Sequence, residues 1–434
     1  MPKNINFRSR KLKIGVIGLG YVGLPLALLF AQKGFQVFGI DLDKNKVKSL
    51  SKGISYIPDI QDKFINQMIT EGFFQVSNNY SEIKNFDAII ICVPTPLSAD
   101  KTPDLSYLQT AGKELIPLLK KGQLIILESS TYPGTTREVL QPILEKSGLI
   151  VGKDLYLAYS PERVDPGNSH FPLENIPKVV SGVTDSCSKY IYDLYCQVFK
   201  KVITVSSTEV AEMTKILENS FRFINISFIN EFAILCDILN IDVWEVIHAA
   251  KTKPFGYTPF FPGPGIGGHC IPVDPLYLQW KAKQNGFDTQ FIDLSNQINQ
   301  SIPHYIVNQV QKLVEDRETP SILIYGVTYK KDIDDSRESS AYSIIGSLKK
   351  LGNTVYYHDP YVNEININGE KMVSVPLTDQ LYQKIDCIVI LVDHTQIPIQ
   401  EILEKAKIIY DTRNVTKGLS GKAKVFLFGA INGK

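Results

Sequence analysis

Lys13-Ile14-Gly15-Val16-Ile17-Gly18-Leu19-Gly20-Tyr21-Val22-Gly23 is the stretch that decides how the rest of the chain is read. Lys13 to Ile17 reads as a buried strand. It runs into a glycine-rich turn and a helix-forming run, Leu24 to Lys33, which Gly34 stops. A second strand, Gln36 to Ile40, ends in Asp41. A G-x-G-x-x-G run alone carries little information. Between a strand and a helix, with an acid 23 residues after its first glycine, it is the pattern of a dinucleotide-binding turn. Glycines let the backbone close on a pyrophosphate at a helix N-terminus, so Gly18, Gly20, Tyr21, Val22 and Gly23 are the expected phosphate cradle. Asp41 would accept from a ribose 2′-hydroxyl and repel a 2′-phosphate, which favours NAD over NADP.

Working outward, strands are expected at Asp87 to Val93, Gln123 to Leu127 and Leu155 to Tyr159, each delivering a polar or proline-bearing loop. Ligands of a doubly wound sheet lie outside the carboxyl ends of its strands. That places Thr95, in Pro94-Thr95-Pro96, and Thr131, in Glu128-Ser129-Ser130-Thr131, where a nicotinamide would lie. Either threonine could instead cap the next helix. Ser160-Pro161-Glu162-Arg163-Val164-Asp165-Pro166-Gly167 packs charges between prolines at a strand end, and Glu162 is its candidate site residue, with a solvated turn as the alternative. Cys92 reads as core.

From Thr208 to Leu239 the pattern is helical, with Ser206-Ser207-Thr208-Glu209 as a capping box. Such a helix is about 48 Å long, more than one small domain needs, so it is expected to join two lobes and, from its excess apolar surface, to form a dimer interface. Lys215, Asn219 and Asn230 fall on one narrow arc of it. Then comes Gly263-Pro264-Gly265-Ile266-Gly267-Gly268-His269-Cys270-Ile271-Pro272-Val273-Asp274-Pro275. Four glycines and three prolines exclude a helix or a central strand. A cysteine bounded by glycines with an acid four residues on has a nucleophile's setting, provided a cation such as Lys215 favours its thiolate. Taken alone, the loop fits a small buried cysteine on a turn equally well.

Helices are expected at Pro275 to Lys283 and Ile302 to Glu315. The opening pattern then recurs: a strand at Ser321 to Gly326, a helix at Ser339 to Leu351, and strands at Thr354 to Asp359, Asp386 to Val392 and Lys407 to Thr412. This second unit has no G-x-G-x-x-G. At its first turn stands Gly326-Val327-Thr328-Tyr329-Lys330-Lys331-Asp332-Ile333-Asp334-Asp335-Ser336-Arg337-Glu338-Ser339, whose cations could hold a phosphate by charge. The expected fold is α/β, two Rossmann-like doubly wound domains joined by a long central helix. Its divisions are 1–205 (NAD binding), 206–316 (central, with the cysteine loop) and 317–434, a unit expected to take a second, non-dinucleotide nucleotide ligand.

Bulk composition narrows the classes. With 46 basic against 45 acidic residues, neither nucleic acid nor an anionic membrane is an expected partner. The six cysteines include no C-x-x-C pair and the histidines no ligand spacing, so no disulfide framework and no metal are expected. No run approaches the roughly 18 apolar residues of a membrane span. A reducing, cytoplasmic setting fits these features.

Taken together and in order, the G-x-G-x-x-G turn with Asp41, Val93-Pro94-Thr95-Pro96, Glu128 to Thr131, Ser160 to Arg163, Lys215 with Asn219, the cysteine loop and Lys330 to Ser339 resemble the UDP-glucose/GDP-mannose dehydrogenase family over essentially the whole chain. The resemblance implies oxidation of a nucleotide-sugar C6 alcohol to the carboxylate with two NAD, in a homodimer. It implies that Cys270 traps the aldehyde as a thiohemiacetal whose oxidation gives a thioester. Lys215 and Asn219 would hold the oxyanion, Asp274 would assist proton transfer and orient water, and Glu162 with Thr131 would assist hydrolysis. Lys46, Thr95 and Arg337 match cofactor-contacting positions. Arg163, Tyr257, Phe261, Gly263 and Lys330 join Glu162, Lys215 and Asn219 on the substrate side. The loop after Glu162 is shorter than in the glucose-type enzymes, and Thr252 to Tyr257 resembles the branch acting on N-acetylhexosamines. The expected substrate is therefore UDP-N-acetylglucosamine, with UDP-glucose, UDP-N-acetylmannosamine and UDP-N-acetylgalactosamine as alternatives. Rival readings are a single-step 3-hydroxyacid-type dehydrogenase and a non-catalytic NAD-binding regulator. The NADH formed per substrate separates them: two, one or none.

Overall fold

The computed structural model describes residues 5–98, 100–164 and 171–430. The chain divides into two compact units, Met1–Glu218 with Leu276–Phe287, and Asn219–Pro275 with Asp288–Lys434.

The first unit is built on eight strands: β1 (Lys13–Ile17), β2 (Gln36–Ile40), β3 (Phe74–Ser77), β4 (Ala88–Ile91), β5 (Leu124–Leu127), β6 (Tyr156–Tyr159), β7 (Lys178–Gly182) and β8 (Val202–Thr204). Their order is β3-β2-β1-β4-β5-β6-β7-β8, parallel throughout except for the β6–β7 pair. Ala88 to Ile91 and Leu124 to Leu127 are buried at every residue, as expected of strands covered by helices on both faces. Ile17 pairs with Ile40 on one side and Ile91 on the other. The glycine turn after Ile17 therefore emerges between the carboxyl ends of β2 and β4, at the point where strand order reverses.

The second unit repeats the plan with β9 (Ser321–Tyr325), β10 (Thr354–His358), the hairpin β11 (Glu364–Ile367) and β12 (Glu370–Val373), and then β13 (Cys387–Ile390), β14 (Ile408–Asp411) and β15 (Lys424–Leu427). Its parallel sheet has the order β10-β9-β13-β14-β15. Strand order again reverses beside the first strand, so the turn after Tyr325 occupies the place of the glycine turn.

The long helix runs Thr208–Leu239. Ser207, not Ser206, supplies its cap, its hydroxyl accepting from the Val210 amide at 3.3 Å. The helix expected from Ile302 begins twelve residues earlier, at Gln290, and carries Pro303 in its interior. Proline removes one hydrogen bond at a cost of about 3 kcal/mol. The buried face of Ile292, Ser295, Ile302, Ile306 and Val310 continues through it at helical spacing and outweighs that loss. Strands β3, β7, β8, β11, β12 and β15 were not legible as strands; β7 opens with a charge, Lys178, that the fold buries.

Candidate active site

In the first unit the glycine turn has three different steric environments. Gly18 sits at φ +88°, and a Cβ there would lie 2.5 Å from the Cys92 carbonyl oxygen. One on Gly23 would collide with the Gly18 carbonyl. One on Gly20 would meet no atom within 4 Å. The outer glycines thus close the strand–turn–helix joint, while a Cβ on the middle one would face open space. The helix that follows, Gly23–Gln32, has no side-chain cap at Val22, which suits an anion at its start. Asp41 Oδ2 accepts from the Leu19 amide at 2.9 Å, Oδ1 accepts from Asp43 at 2.9 Å, and Lys46 Nζ stands 3.7 Å from Oδ2. The acid shapes the turn: one oxygen holds the Leu19 amide and the other the Asp43 amide.

The strand-end loops of β4 to β7 converge. Thr95 donates to the Ser130 carbonyl at 2.6 Å and Ser129 to the Val93 carbonyl at 2.7 Å, so Thr95 ties two loops together and caps no helix. Thr131 is fully buried with no hydrogen-bond partner for its hydroxyl among the described residues, an orphan that a bound group can satisfy. Beneath them lies a cluster that sequence reasoning missed. Lys178 Nζ is 2.9 Å from Glu128 Oε1 and 3.8 Å from Glu162 Oε2, all three buried. Tyr195 donates to the same Glu128 oxygen at 2.8 Å. Burial acts to lower the Lys178 pKa, but the two carboxylates outweigh it and push the ammonium up. Burial and the same carboxylates push the Cys92 thiol up, making it an inert core group. Arg163 is turned to Glu218, with contacts of 2.6 and 3.2 Å, and to the Pro177 carbonyl. The loop beyond Val164 falls at residues 165–170, outside the described residues. Lys215 is buried on the long helix.

The second unit holds the cysteine loop. Cys270 is exposed, which removes the reading of a small buried hydrophobe. Asn230, the third member of the polar arc, accepts from the Gly263 amide at 2.9 Å. Asn299 accepts from the Ile266 amide at 2.7 Å and donates to its carbonyl at 3.3 Å. The loop lies against the first turn of the C-terminal sheet: the Gly268 amide donates to the Arg337 carbonyl at 3.2 Å. A Cβ on Gly267 would lie 2.6 Å from the Glu338 carbonyl oxygen, and one on Gly268, at φ +86°, 2.7 Å from the Tyr329 ring. These glycines are required by contact with the turn that carries Lys330. A Cβ on Gly263 would be 2.6 Å from the Arg413 guanidinium.

After Cys270 the chain turns into the helix Asp274–Gln284, the Asp274 amide donating to the Cys270 carbonyl at 2.9 Å. Asn219 donates to Asp274 Oδ2 at 2.6 Å. Thus Asn219, Asp274 and Cys270 are joined by hydrogen bonds within one unit. Burial, and after it the Arg337 guanidinium, holds His269 below its ordinary pKa. Arg337 pairs with Asp335 at 2.6 Å. Tyr257 is exposed, and Phe261 stacks near Trp244 at 6.1 Å. Asn299, Tyr329, Glu338 and Arg413 were not singled out by the sequence. Arg413 follows a strand-ending acid, Asp411, and that was the available signal.

Three family models match the chain in succession: the NAD binding domain of the UDP-glucose/GDP-mannose dehydrogenase family over residues 12–202, its central domain over 209–301 and its UDP binding domain over 323–418. Among curated relatives, UDP-N-acetyl-D-mannosamine dehydrogenase of Pyrococcus horikoshii is 34% identical over 417 residues, covering 94% of this chain and 96% of that protein. UDP-N-acetyl-D-glucosamine 6-dehydrogenase of Salmonella typhi is 35% identical over 397 residues, covering 90% and 92%. The solved structure of the Pyrococcus horikoshii UDP-D-ManNAc dehydrogenase superposes with a TM-score of 0.88 at 32% identity, covering 96% of this chain and 99% of that one.

Proposed function

The chain belongs to the UDP-glucose/GDP-mannose dehydrogenase family, and we propose that it oxidises the C6 alcohol of UDP-N-acetylglucosamine to the carboxylate. Its first domain is the family's NAD-binding domain, and NAD is the cofactor. Two NAD molecules, bound in succession, would each accept one hydride. The observation that carries the reading is the exposed Cys270 on a loop whose glycines fit only against the Lys330 turn, with Asp274 and Asn219 bonded beside it.

The sequence of bonds follows from the residues. Loss of a hydride and a proton converts the alcohol to an aldehyde. The Cys270 thiolate adds to that carbon, giving a thiohemiacetal whose oxyanion Lys215 and Asn219 stabilise. Loss of the second hydride leaves a thioester. Water, oriented by Asp274 and aided by Glu162 and Thr131, breaks the C–S bond, releasing the acid and restoring the thiol. Lys330 pairs with the substrate phosphates. Tyr257 and Phe261 belong to the exposed segment that resembles the acetamido-sugar enzymes, and Lys46, Thr95 and Arg337 serve the cofactor.

The reading includes a homodimer. Leu217, Phe221, Phe228, Leu235 and Ile238 of the long helix are each between 45% and 73% exposed and recur at spacings of three, four and seven, an exposed apolar stripe that a second copy would cover. Light scattering at micromolar concentration should return twice the chain mass. For the substrate, NADH formation is followed with a panel of UDP-sugars at matched concentration. UDP-N-acetylglucosamine should give the highest kcat/KM, because polar groups set to bind an acetamide are left unpaired by glucose. Equal or better turnover of UDP-glucose would overturn the assignment.

A further inference from the structure

Both sheets end their second strand in an aspartate that holds the first turn. Asp41 accepts from Leu19 and Asp43; Asp359 accepts from the Val327 amide at 2.7 Å and the Tyr361 amide at 2.8 Å. Asp41 keeps contact with solvent, whereas Asp359 is fully covered. The cover is His394, itself buried, with Nε2 3.2 Å from Asp359 Oδ2 and the Tyr361 ring against it at 5.0 Å between centroids.

The imidazole's two nitrogens have different partners. Nδ1 lies 3.0 Å from the amide nitrogen of Asp332. An amide can only donate, so Nδ1 carries no proton and Nε2 does. The Nε2–H points at Asp359 and, at 3.5 Å, at the Thr328 hydroxyl. That hydroxyl donates to the Lys330 carbonyl at 2.7 Å. The other end of the same turn is fastened to the same segment: Asp332 sits at φ +60°, and its carboxylate accepts from the Thr395 amide and hydroxyl at 2.8 and 2.6 Å. Lys330 is thus bracketed by Thr328 and Asp332, and both contact one ring. Neither ring nitrogen faces solvent, and no other described histidine links β10, the first turn and the end of β13.

We propose that His394 is a positioning residue for the nucleotide-sugar turn: by accepting from Asp332 and donating to Asp359 it fixes the arc that aims Lys330 and seats the Cys270 loop. The inference rests on the reading of Lys330 as a phosphate-binding residue. It also assigns a purpose to the closed aspartate. In the first unit the acid is left for a ribose, and in the second it is spent, through His394, on shaping the turn.

The test uses the full-length protein with UDP as the probe. His394→Leu keeps much of the ring's volume but neither hydrogen bond; His394→Asn can place Oδ1 where Nδ1 accepts. By calorimetry, His394→Leu should weaken UDP binding by about tenfold or more, the loss of one charge-assisted and one neutral bond acting through the turn. NAD affinity should stay within about twofold, an effect smaller than half of one such bond. In turnover the UDP-sugar KM should rise more than kcat falls, and His394→Asn should recover most of the UDP affinity. UDP binding unchanged in His394→Leu would overturn the proposal, as would parallel losses of NAD and UDP affinity or no recovery with Asn. Lys330→Ala serves as the control. If it leaves UDP binding intact, the underlying reading of the turn falls and the inference with it; if it weakens UDP binding while His394→Leu does not, the inference alone falls.

Discussion

Two first turns, built on the same frame, have opposite surroundings. In each unit a glycine with φ near +86° follows the first strand (Gly18 at +88°, Gly326 at +85°), its amide bonded to the end of the second strand and its neighbour's amide to a strand-ending aspartate. After that the two diverge. The first turn reaches its helix at Gly23 and leaves open space over Gly20. The second delays its helix to Ser340 and fills the interval with a charged arc that His394 holds from below and the cysteine loop covers on one side. A Rossmann frame therefore does not specify its ligand. What stands on the shared joint does: under the proposed reading, open backbone takes the pyrophosphate in the first unit and the cations of the second turn take the nucleotide sugar.

The comparison breaks most visibly at the glycines. Gly268→Ala forces a Cβ against the Tyr329 ring at a positive φ, so Cys270 should be displaced and steady turnover should drop by about a hundredfold, with NAD affinity retained. Gly20→Ala should do the reverse, weakening NAD binding while the thermal midpoint hardly moves, since its Cβ meets nothing. Comparable loss of NAD affinity from both variants would mean that the two turns do not divide the ligands.

Lys330→Ala is the next largest. Losing a charge-assisted phosphate contact should raise the UDP-sugar KM by about 10- to 100-fold, with little change in the KM for NAD. The opposite pattern in steady-state kinetics would exchange the roles of the two units. Asp41→Asn sharpens the first turn alone. It keeps an acceptor for the Leu19 amide but removes the charge, and the NAD-to-NADP ratio of kcat/KM should fall about tenfold.

The smallest effect concerns stability. Burial acts to raise the Asp359 pKa, but hydrogen bonds from His394 and the Val327 and Tyr361 amides outweigh it and hold the carboxyl below its ordinary value. Its folded-state pKa lies below the unfolded one, so its contribution is present above about pH 4 and disappears as pH falls through the folded value. Asp359→Asn should cost roughly 1 to 3 kcal/mol at pH 7, and thermal midpoints of variant and parent should converge as pH drops below about 4. A gap that stays constant with pH would mean that the carboxylate's charge does not hold the turn.

The contrast between the turns also explains what could be read in advance. The glycine turn is local chemistry: Gly18, Gly20, Gly23 and Asp41 stand in one segment at fixed spacing, and the fold class follows from it and from the recurrence of its pattern after Pro320. The long helix is legible separately, in the apolar periodicity of Thr208 to Leu239, and ends where expected. The cysteine loop announced itself by composition, but its seat did not. Asn230 on the long helix, Asn299 on the helix Gln290–Leu313, and Tyr329 with Glu338 on the second unit's first turn come from three separate segments, and nothing in their residue types marks that they meet. The Glu128–Lys178–Glu162 cluster was hidden for the same reason: Glu128 and Glu162 lie in the loops after two strands and Lys178 opens a third, and a lysine in that place looks like a solvated edge until Glu128 lies 2.9 Å away. Pro303 hid the first half of its helix, because a proline reads as a boundary unless the buried stripe on both sides is counted.

The division of labour between the turns has one consequence that activity alone does not test: a nucleophilic Cys270 must carry a single substrate through both oxidations. With a limiting, known amount of UDP-N-acetylglucosamine and excess NAD, the reaction should run to completion with about two NADH formed per sugar consumed, because each hydride accounts for one oxidation. The uronic acid should be the product, and Cys270→Ser should not reach that ratio in steady turnover. One NADH per sugar from the unaltered protein, with the aldehyde released, would contradict the account.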